Sequence, residues 1–105
     1  MFFVVPGIRT GERQALQWLA RGLRAGGLKP GGLAGVKGSD PRKVLLADLL
    51  WRRTVVSQEW LAEKLEMKSA ANVSQQLRRL DVKAAIKKVP EDLKHILEEA
   101  DAPNS

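Results

Sequence analysis

Short polar side chains stand directly before three apolar segments of this chain, at Asp40, Ser57 and Ser69. Such side chains accept hydrogen bonds from the first turn of a helix, and a proline such as Pro41 is typical of a first helical residue. The apolar residues of each segment recur at three- and four-residue intervals, as on one face of a helix. The helices predicted in this way run from Pro41 to about Arg53, from Gln58 to about Leu65, and from Ala70 to about Leu80.

The flanking segments also predict helices. One runs from Glu12 to Leu23 and ends at Gly26 and Gly27, and another starts at Pro90 with Leu93, Ile96 and Leu97 turned inward. Residues 81–89 are compatible with a helical extension or with a separate short helix. No segment sustains a two-residue alternation, although Phe2–Val5 is a candidate short strand. We therefore expect an all-α fold, a small helical bundle.

Glycine is concentrated between the first two helices. Seven of the nine glycines lie between Gly22 and Gly38, where regular structure would carry a large cost in backbone entropy. We expect a loop or linker there. The resulting organisation is an N-terminal segment with a linker (residues 1–38), a central helical core (39–89) and an acidic C-terminal helix and tail (90–105).

Composition excludes several classes of function. The 105 residues include no Cys, no Tyr and a single His, His95, so disulfides, thiolate metal sites and Cys or Tyr nucleophiles are excluded. His95 has helical spacing from Asp92 and Glu99, but an exposed histidine on an acidic helix is the simpler interpretation. The tryptophans at positions 18, 51 and 60 could stack on bases, but core packing is the more common role. We expect no enzyme activity, no metal and no cofactor.

The charge is strongly basic and unevenly distributed. The net charge is +6, with ten basic and three acidic residues in 1–56, seven and four in 57–88, and one and five in 89–105. A polyanion would therefore approach the first two segments, either nucleic acid or an anionic membrane surface. The apolar run Met1–Val5 stops at Pro6, too short for a signal peptide or a membrane span. We expect a cytoplasmic, nucleoid-associated protein with no membrane partner.

Two short helices joined by a tight turn, after a hydrophobic helix, are typical of a helix-turn-helix DNA-binding unit. If Val73 points inward, steps of about 100° per residue turn Ala71, Gln75 and Arg78 outward on the second helix. No acidic residue lies between Lys68 and Leu80, as contact with DNA requires. The predicted DNA-contacting residues are Arg42, Lys43, Arg52, Arg53, Lys64, Lys68, Ser69, Ala70, Ala71, Asn72, Ser74, Gln75, Arg78 and Arg79.

The stretch from Gly38 to Leu80, GSDPRKVLLADLLWRRTVVSQEWLAEKLEMKSAANVSQQLRRL, resembles the C-terminal helix-turn-helix region of bacterial REP-associated tyrosine transposases. The upstream GERQALQWLARGL is similar to the helix that precedes this region, so the likeness covers most of residues 11–80. Residues 61–73 are also similar in spacing to the DNA-reading helices of the bacterial replication initiator, in the Trp-repressor-like superfamily. That likeness implies that residues 69–72 enter the major groove first.

The chain also departs from the transposase pattern. Those enzymes cut DNA with a tyrosine and a metal held by a histidine pair, and this sequence has neither a Tyr nor a second His. We therefore expect a sequence-specific reader of duplex or hairpin DNA without nuclease activity, either part of a transposase with a separate catalytic domain or an independent protein. The alternative is a protein-interaction or oligomerisation module in which the apolar helix 41–51 binds a partner. Burial of Leu45, Leu49 and Trp51 within the monomer would remove that surface.

Overall fold

The structure is a computed structural model that describes residues 11–101, apart from the side chains of Pro30 and Asp101. This range contains six α-helices, one 3₁₀ helix and no β-strand, so the all-α prediction is confirmed for it. The candidate strand Phe2–Val5 lies outside the described residues. The α-helices are α1 (Glu12–Ala25), α2 (Pro41–Arg53), α3 (Gln58–Lys64), α4 (Ala70–Arg79), α5 (Val82–Ile86) and α6 (Glu91–Asp101), and the 3₁₀ helix is Pro30–Gly35.

Helix α2 lies at the centre of the fold and packs against all the other α-helices. Its apolar residues surround most of its circumference, and Leu46, Ala47 and Leu50 have no exposed surface. Helix α1 approaches α2 closely at Gly22, where an added Cβ would overlap a methyl group of Leu46. The predicted caps are present at the start of α2, where the Asp40 carboxylate accepts a hydrogen bond from the Arg42 N–H.

The glycine-rich segment, where the sequence predicts a loop or linker, contains the 3₁₀ helix and contributes to the core. Leu28 and Leu33 are 6% and 2% exposed and belong to the main hydrophobic cluster. After α1 ends, Gly27 adopts the left-handed region at φ +71°, and the Leu28 N–H donates to the Leu23 carbonyl at 2.8 Å. This arrangement turns the chain and directs Leu28 inward, as a Schellman motif does.

The C-terminal helix α6 belongs to the same core. It packs against α1 and α2 through Leu93, which is fully buried, and Leu97, which is 6% exposed. The three segments predicted from the sequence (1–38, 39–89 and 90–105) therefore contribute to one hydrophobic cluster within the described residues. No helix in residues 11–101 combines the length and apolar character needed to cross a bilayer.

The segment from α3 to α5 consists of short, individually capped helices. The hydroxyl groups of Ser57 and Ser69 accept hydrogen bonds from the N–H groups of Trp60 and Asn72, as their positions before α3 and α4 predict. Residues 81–89, which the sequence leaves open, contain the separate helix α5. The Asp81 carboxylate caps it by accepting from the Ala84 N–H at 3.2 Å.

Candidate nucleic-acid interface

Helices α3 and α4 pack against each other and against α2. On α4, Val73 is fully buried and Leu77 is partly buried against the core, as is Leu80 directly after the helix. The opposite side of α4 is exposed at Ala71, Gln75 and Arg78. The sequence prediction of which side of this helix faces inward and which faces outward is therefore confirmed.

The exposed side of α4 is polar, small or basic. Arg78 and Arg79 are exposed in its last turn, and Lys68 is exposed just before its first. Ser69 is exposed but its hydroxyl serves as the helix cap, whereas Ala70 and Ser74 are partly buried. No ion pair joins any of these side chains to another residue of the described range, so this surface carries uncompensated positive charge.

One flank of α4 faces the start of α2. An added Cβ at Gly38 would lie 2.9 Å from the Asn72 side-chain nitrogen. The absence of a side chain at Gly38 therefore leaves space for the Asn72 side chain. Gln76 and Arg79 follow Asn72 at intervals of four and three residues, which sets them on the same flank. Asn72 is thus partly buried against the scaffold.

The prediction that Lys43 contacts DNA is wrong, because this side chain is fully buried. Its ammonium group donates to the carbonyl oxygens of Leu33 at 2.8 Å, Val36 at 2.9 Å and Glu66 at 3.2 Å. Burial lowers the pKa of Lys43, while the negative charges of Glu66 and Asp40 oppose that shift. Lys43 therefore joins α2 to the glycine-rich segment and to the α3–α4 connection.

Arg42 also has partners within the protein. Its guanidinium makes a bidentate contact with the Asp40 carboxylate, with both N···O distances at 3.0 Å, and donates to the Gly26 carbonyl at 3.0 Å. The Asp40 hydrogen bond raises the pKa of Arg42 and lowers that of Asp40. Arg42 thus connects the end of α1 to the start of α2. The charge of Arg42 alone did not predict these internal contacts.

The remaining predicted cations lie on α2 and α3. Arg52 and Arg53 are exposed in the last turn of α2, and Arg52 pairs with Asp48 at 2.9 Å. Lys64 is partly buried, with its ammonium 6.0 Å from the centre of the Trp60 ring and 3.9 Å from a Glu63 oxygen. These three side chains remain candidates for phosphate contact.

The tryptophans and the histidine have structural explanations. Trp18, Trp51 and Trp60 are partly buried against the core, and the Arg21 guanidinium lies 4.7 Å from the centre of the Trp18 ring. His95 is exposed and approaches Glu91 at 3.7 Å, rather than Asp92 or Glu99. No group of three potential metal-ligating side chains occurs in the described part of the chain.

Comparisons with protein-family models, with curated proteins and with solved structures found no match to this chain.

Proposed function

We propose that α3 and α4 form a helix-turn-helix unit that binds duplex DNA, with the exposed side of α4 in the major groove. The observation that carries this proposal is the division of α4 between a fully buried Val73 and an exposed surface at Ala71, Gln75 and Arg78. Glutamine can form a bidentate pair with adenine, and arginine with guanine, while alanine allows close approach to the groove. The likeness of residues 38–80 to a transposase target-recognition region also supports a DNA target.

The positions of the basic residues support the same function. Lys68 lies before α4, Arg79 lies at its end, and Arg52 and Arg53 lie at the end of α2. Contacts of this kind with phosphates hold a DNA-binding helix in register and supply most of the non-specific affinity. The proposal includes no nuclease step, because the chain has no Tyr or Cys nucleophile and only one His.

The alternative, a protein-interaction module built on α2, has less support. Leu45 and Leu49 are 3% and 1% exposed, and Trp51 is partly buried against the core. Large exposed apolar side chains in the described residues are Leu16 on α1, Val55 in the α2–α3 connection and Val82 on α5. Single exposed apolar residues are normal on monomeric proteins and do not indicate a partner.

Binding should be measured with duplex, hairpin and single-stranded DNA of one sequence over a range of salt concentrations. We expect duplex or duplex-containing DNA to bind more tightly, with log affinity falling linearly against log salt concentration by about 0.9 for each phosphate contacted. Arg78→Gln should weaken binding, whereas Arg13→Gln, which changes an exposed arginine on α1, should not. Equal affinity for single-stranded and duplex DNA, or no dependence on salt, would contradict the proposal.

A further inference from the structure

An open cleft lies where the start of α2, the end of α4 and α5 meet. Its volume is about 230 Å³, below the range of about 300–1,000 Å³ that holds most drug-sized ligands. The cleft therefore suits a group of about the size of a phosphate with part of its attached sugar. Its lining residues are Ser39, Pro41, Val44, Gln76, Arg79, Leu80, Asp81, Ala84, Ala85 and Lys88.

The cleft combines two cations with neutral hydrogen-bond donors. Arg79 and Lys88 both line it, are exposed, and form no ion pair with another described residue. Ser39 and Gln76 add a hydroxyl and an amide, both of which bind phosphate oxygens in protein–DNA complexes. The one acidic residue in the lining, Asp81, accepts a hydrogen bond from the Ala84 N–H as the cap of α5.

The location of the cleft matches the path of a DNA backbone. Arg79 follows the exposed Gln75 by one helical turn, and it lies on the flank of α4 that faces the start of α2. When a helix enters the major groove, a sugar–phosphate strand passes along its flank. The apolar part of the lining, which includes Val44, Leu80 and Ala85, suits the carbon face of a deoxyribose.

We propose that this cleft binds a single phosphate of the DNA backbone between Arg79 and Lys88, with its sugar against the apolar lining. This inference rests on the proposed function and deepens it, since it adds Ser39, Gln76 and Lys88 to the interface. Sequence spacing joins Gln76 to Arg79, but Lys88 comes near them only through the fold of α5.

The test compares Arg79→Gln, Lys88→Gln and the double variant with the parent protein, using duplex DNA over a range of salt concentrations. Because the two cations share one phosphate, the double variant should lower the salt slope by about 0.9. The fold-loss of affinity of the double variant should be smaller than the product of the fold-losses of the two single variants. It should also be equal for all DNA sequences. Lys29→Gln, which changes an exposed lysine before the 3₁₀ helix, is the control and should leave both quantities unchanged. Circular dichroism verifies folding of each variant.

Three outcomes overturn the inference. If the parent binds duplex DNA and the double variant keeps the same salt slope, the cleft holds no phosphate, while the proposed function stands. A fall of about 1.8 in the slope would mean two separate phosphates. If the parent binds no DNA, the proposed function fails as well. A titration with inorganic phosphate, followed by the amide NMR signals of Ser39, Gln76 and Lys88, then shows whether the cleft instead takes a free phosphate.

Discussion

The ammonium group of Lys43 has three hydrogens and three carbonyl acceptors, all within 3.2 Å. Two of these carbonyls belong to the glycine-rich segment and the third to Glu66, at the α3–α4 connection. A buried charge is stable only when such hydrogen bonds replace those it made to water. The side chain therefore acts as an internal crosslink among α2, the glycine-rich segment and the α3–α4 connection.

Lys43→Met should lower the free energy of unfolding by roughly 2–4 kcal/mol, because it leaves buried carbonyl groups without donors. Chemical denaturation measures this loss. Lys37→Met, which alters an exposed lysine, should change the free energy of unfolding by less than about 0.5 kcal/mol. The folded fraction of the Lys43 variant should keep the parent's DNA affinity. A variant of parental stability with weakened DNA binding would mean that Lys43 contacts DNA after all.

The stability of the protein should depend on pH through the Asp40 carboxylate. The side-chain hydrogen bond from Arg42 holds the pKa of Asp40 below its ordinary value. The folded protein therefore binds a proton at Asp40 less readily than the unfolded chain, so this contribution is present above about pH 4 and is lost as the pH falls through the lowered pKa. Asp40→Asn keeps a capping side chain but removes the charge.

We expect Asp40→Asn to be less stable than the parent at pH 7 by about 1 kcal/mol. The difference between the two proteins should shrink as the pH falls below 4. Urea denaturation at a series of pH values measures it. A difference that stays constant from pH 7 to pH 2 would show that the ion pair with Arg42 does not contribute.

Gln75 and Arg78 should determine the preferred DNA sequence. Gln75→Ala and Arg78→Ala should each lose roughly 1–3 kcal/mol against the preferred site and relax preference at one position. Val73→Ala should lower stability by about 1 kcal/mol or more through a buried cavity and leave the preference of the folded fraction intact. Competition among variant duplexes measures the preference. If both surface variants rank sequences as the parent does, residues 69–72 or the shape of the DNA must carry the specificity.

At the scale of the elements, the α3–α4 connection depends on one residue with an unusual backbone. Glu66 adopts φ +52°, a left-handed conformation that glycine adopts without strain. The next residue, Met67, donates its N–H to the Ala62 carbonyl at 2.8 Å and is 5% exposed. These contacts fix the direction in which the chain leaves α3, and so the position of α4.

Glu66→Gly should raise the free energy of unfolding by about 0.5–1 kcal/mol, because relief of the left-handed strain exceeds the entropy that glycine adds to the unfolded chain. The carbonyl at position 66 stays in place for Lys43. Glu63→Gly, inside α3, should instead lower the free energy of unfolding. Thermal denaturation distinguishes the two. Destabilisation by both glycines would mean that the Glu66 carboxylate matters more than its backbone.

Local chemistry explains which elements the sequence predicts. The starts of α2, α3 and α4 follow from Asp40, Ser57 and Ser69, because each cap acts within three residues of itself. The burial of Leu28 and Leu33 depends on a 3₁₀ helix and a Schellman turn, which have no long apolar period. The outward direction of Gln75 follows from helical geometry once Val73 is inside. The burial of Lys43 does not follow from helical geometry, because its acceptors are backbone carbonyls from distant segments.

At the scale of the whole molecule, the acidic residues of α6 and the proposed interface lie on different helices. The described chain extends over 43 × 27 × 26 Å, and the acidic helix α6 packs on α1 and α2, with Arg21 paired to Glu99 at 2.8 Å. The proposed interface lies on α3 and α4. At physiological salt, charges are screened over about 8 Å, so we expect Glu98 and Glu99, near the end of α6, to have little effect on DNA bound at α4.

Lys68→Gln and Glu98→Gln test this separation, since both residues are exposed. The lysine variant should bind DNA more weakly and lower the salt slope by about 0.9, as expected for one lost phosphate contact. The glutamate variant should change affinity by less than about twofold at physiological salt. Fluorescence anisotropy at several salt concentrations measures both. A large gain in affinity for Glu98→Gln would place the DNA near α6.

The burial of the Lys43 ammonium has a consequence for enzymatic modification of this protein. Lysine acetyltransferases require an accessible amine, and the Lys43 amine is enclosed by three carbonyl groups in the folded chain. Lys68 and Lys88 present theirs to solvent. Acetylation of the folded protein would therefore neutralise charges on the proposed DNA-binding surface and leave Lys43 intact. The fold thus leaves Lys68 and Lys88 accessible to modification and protects Lys43.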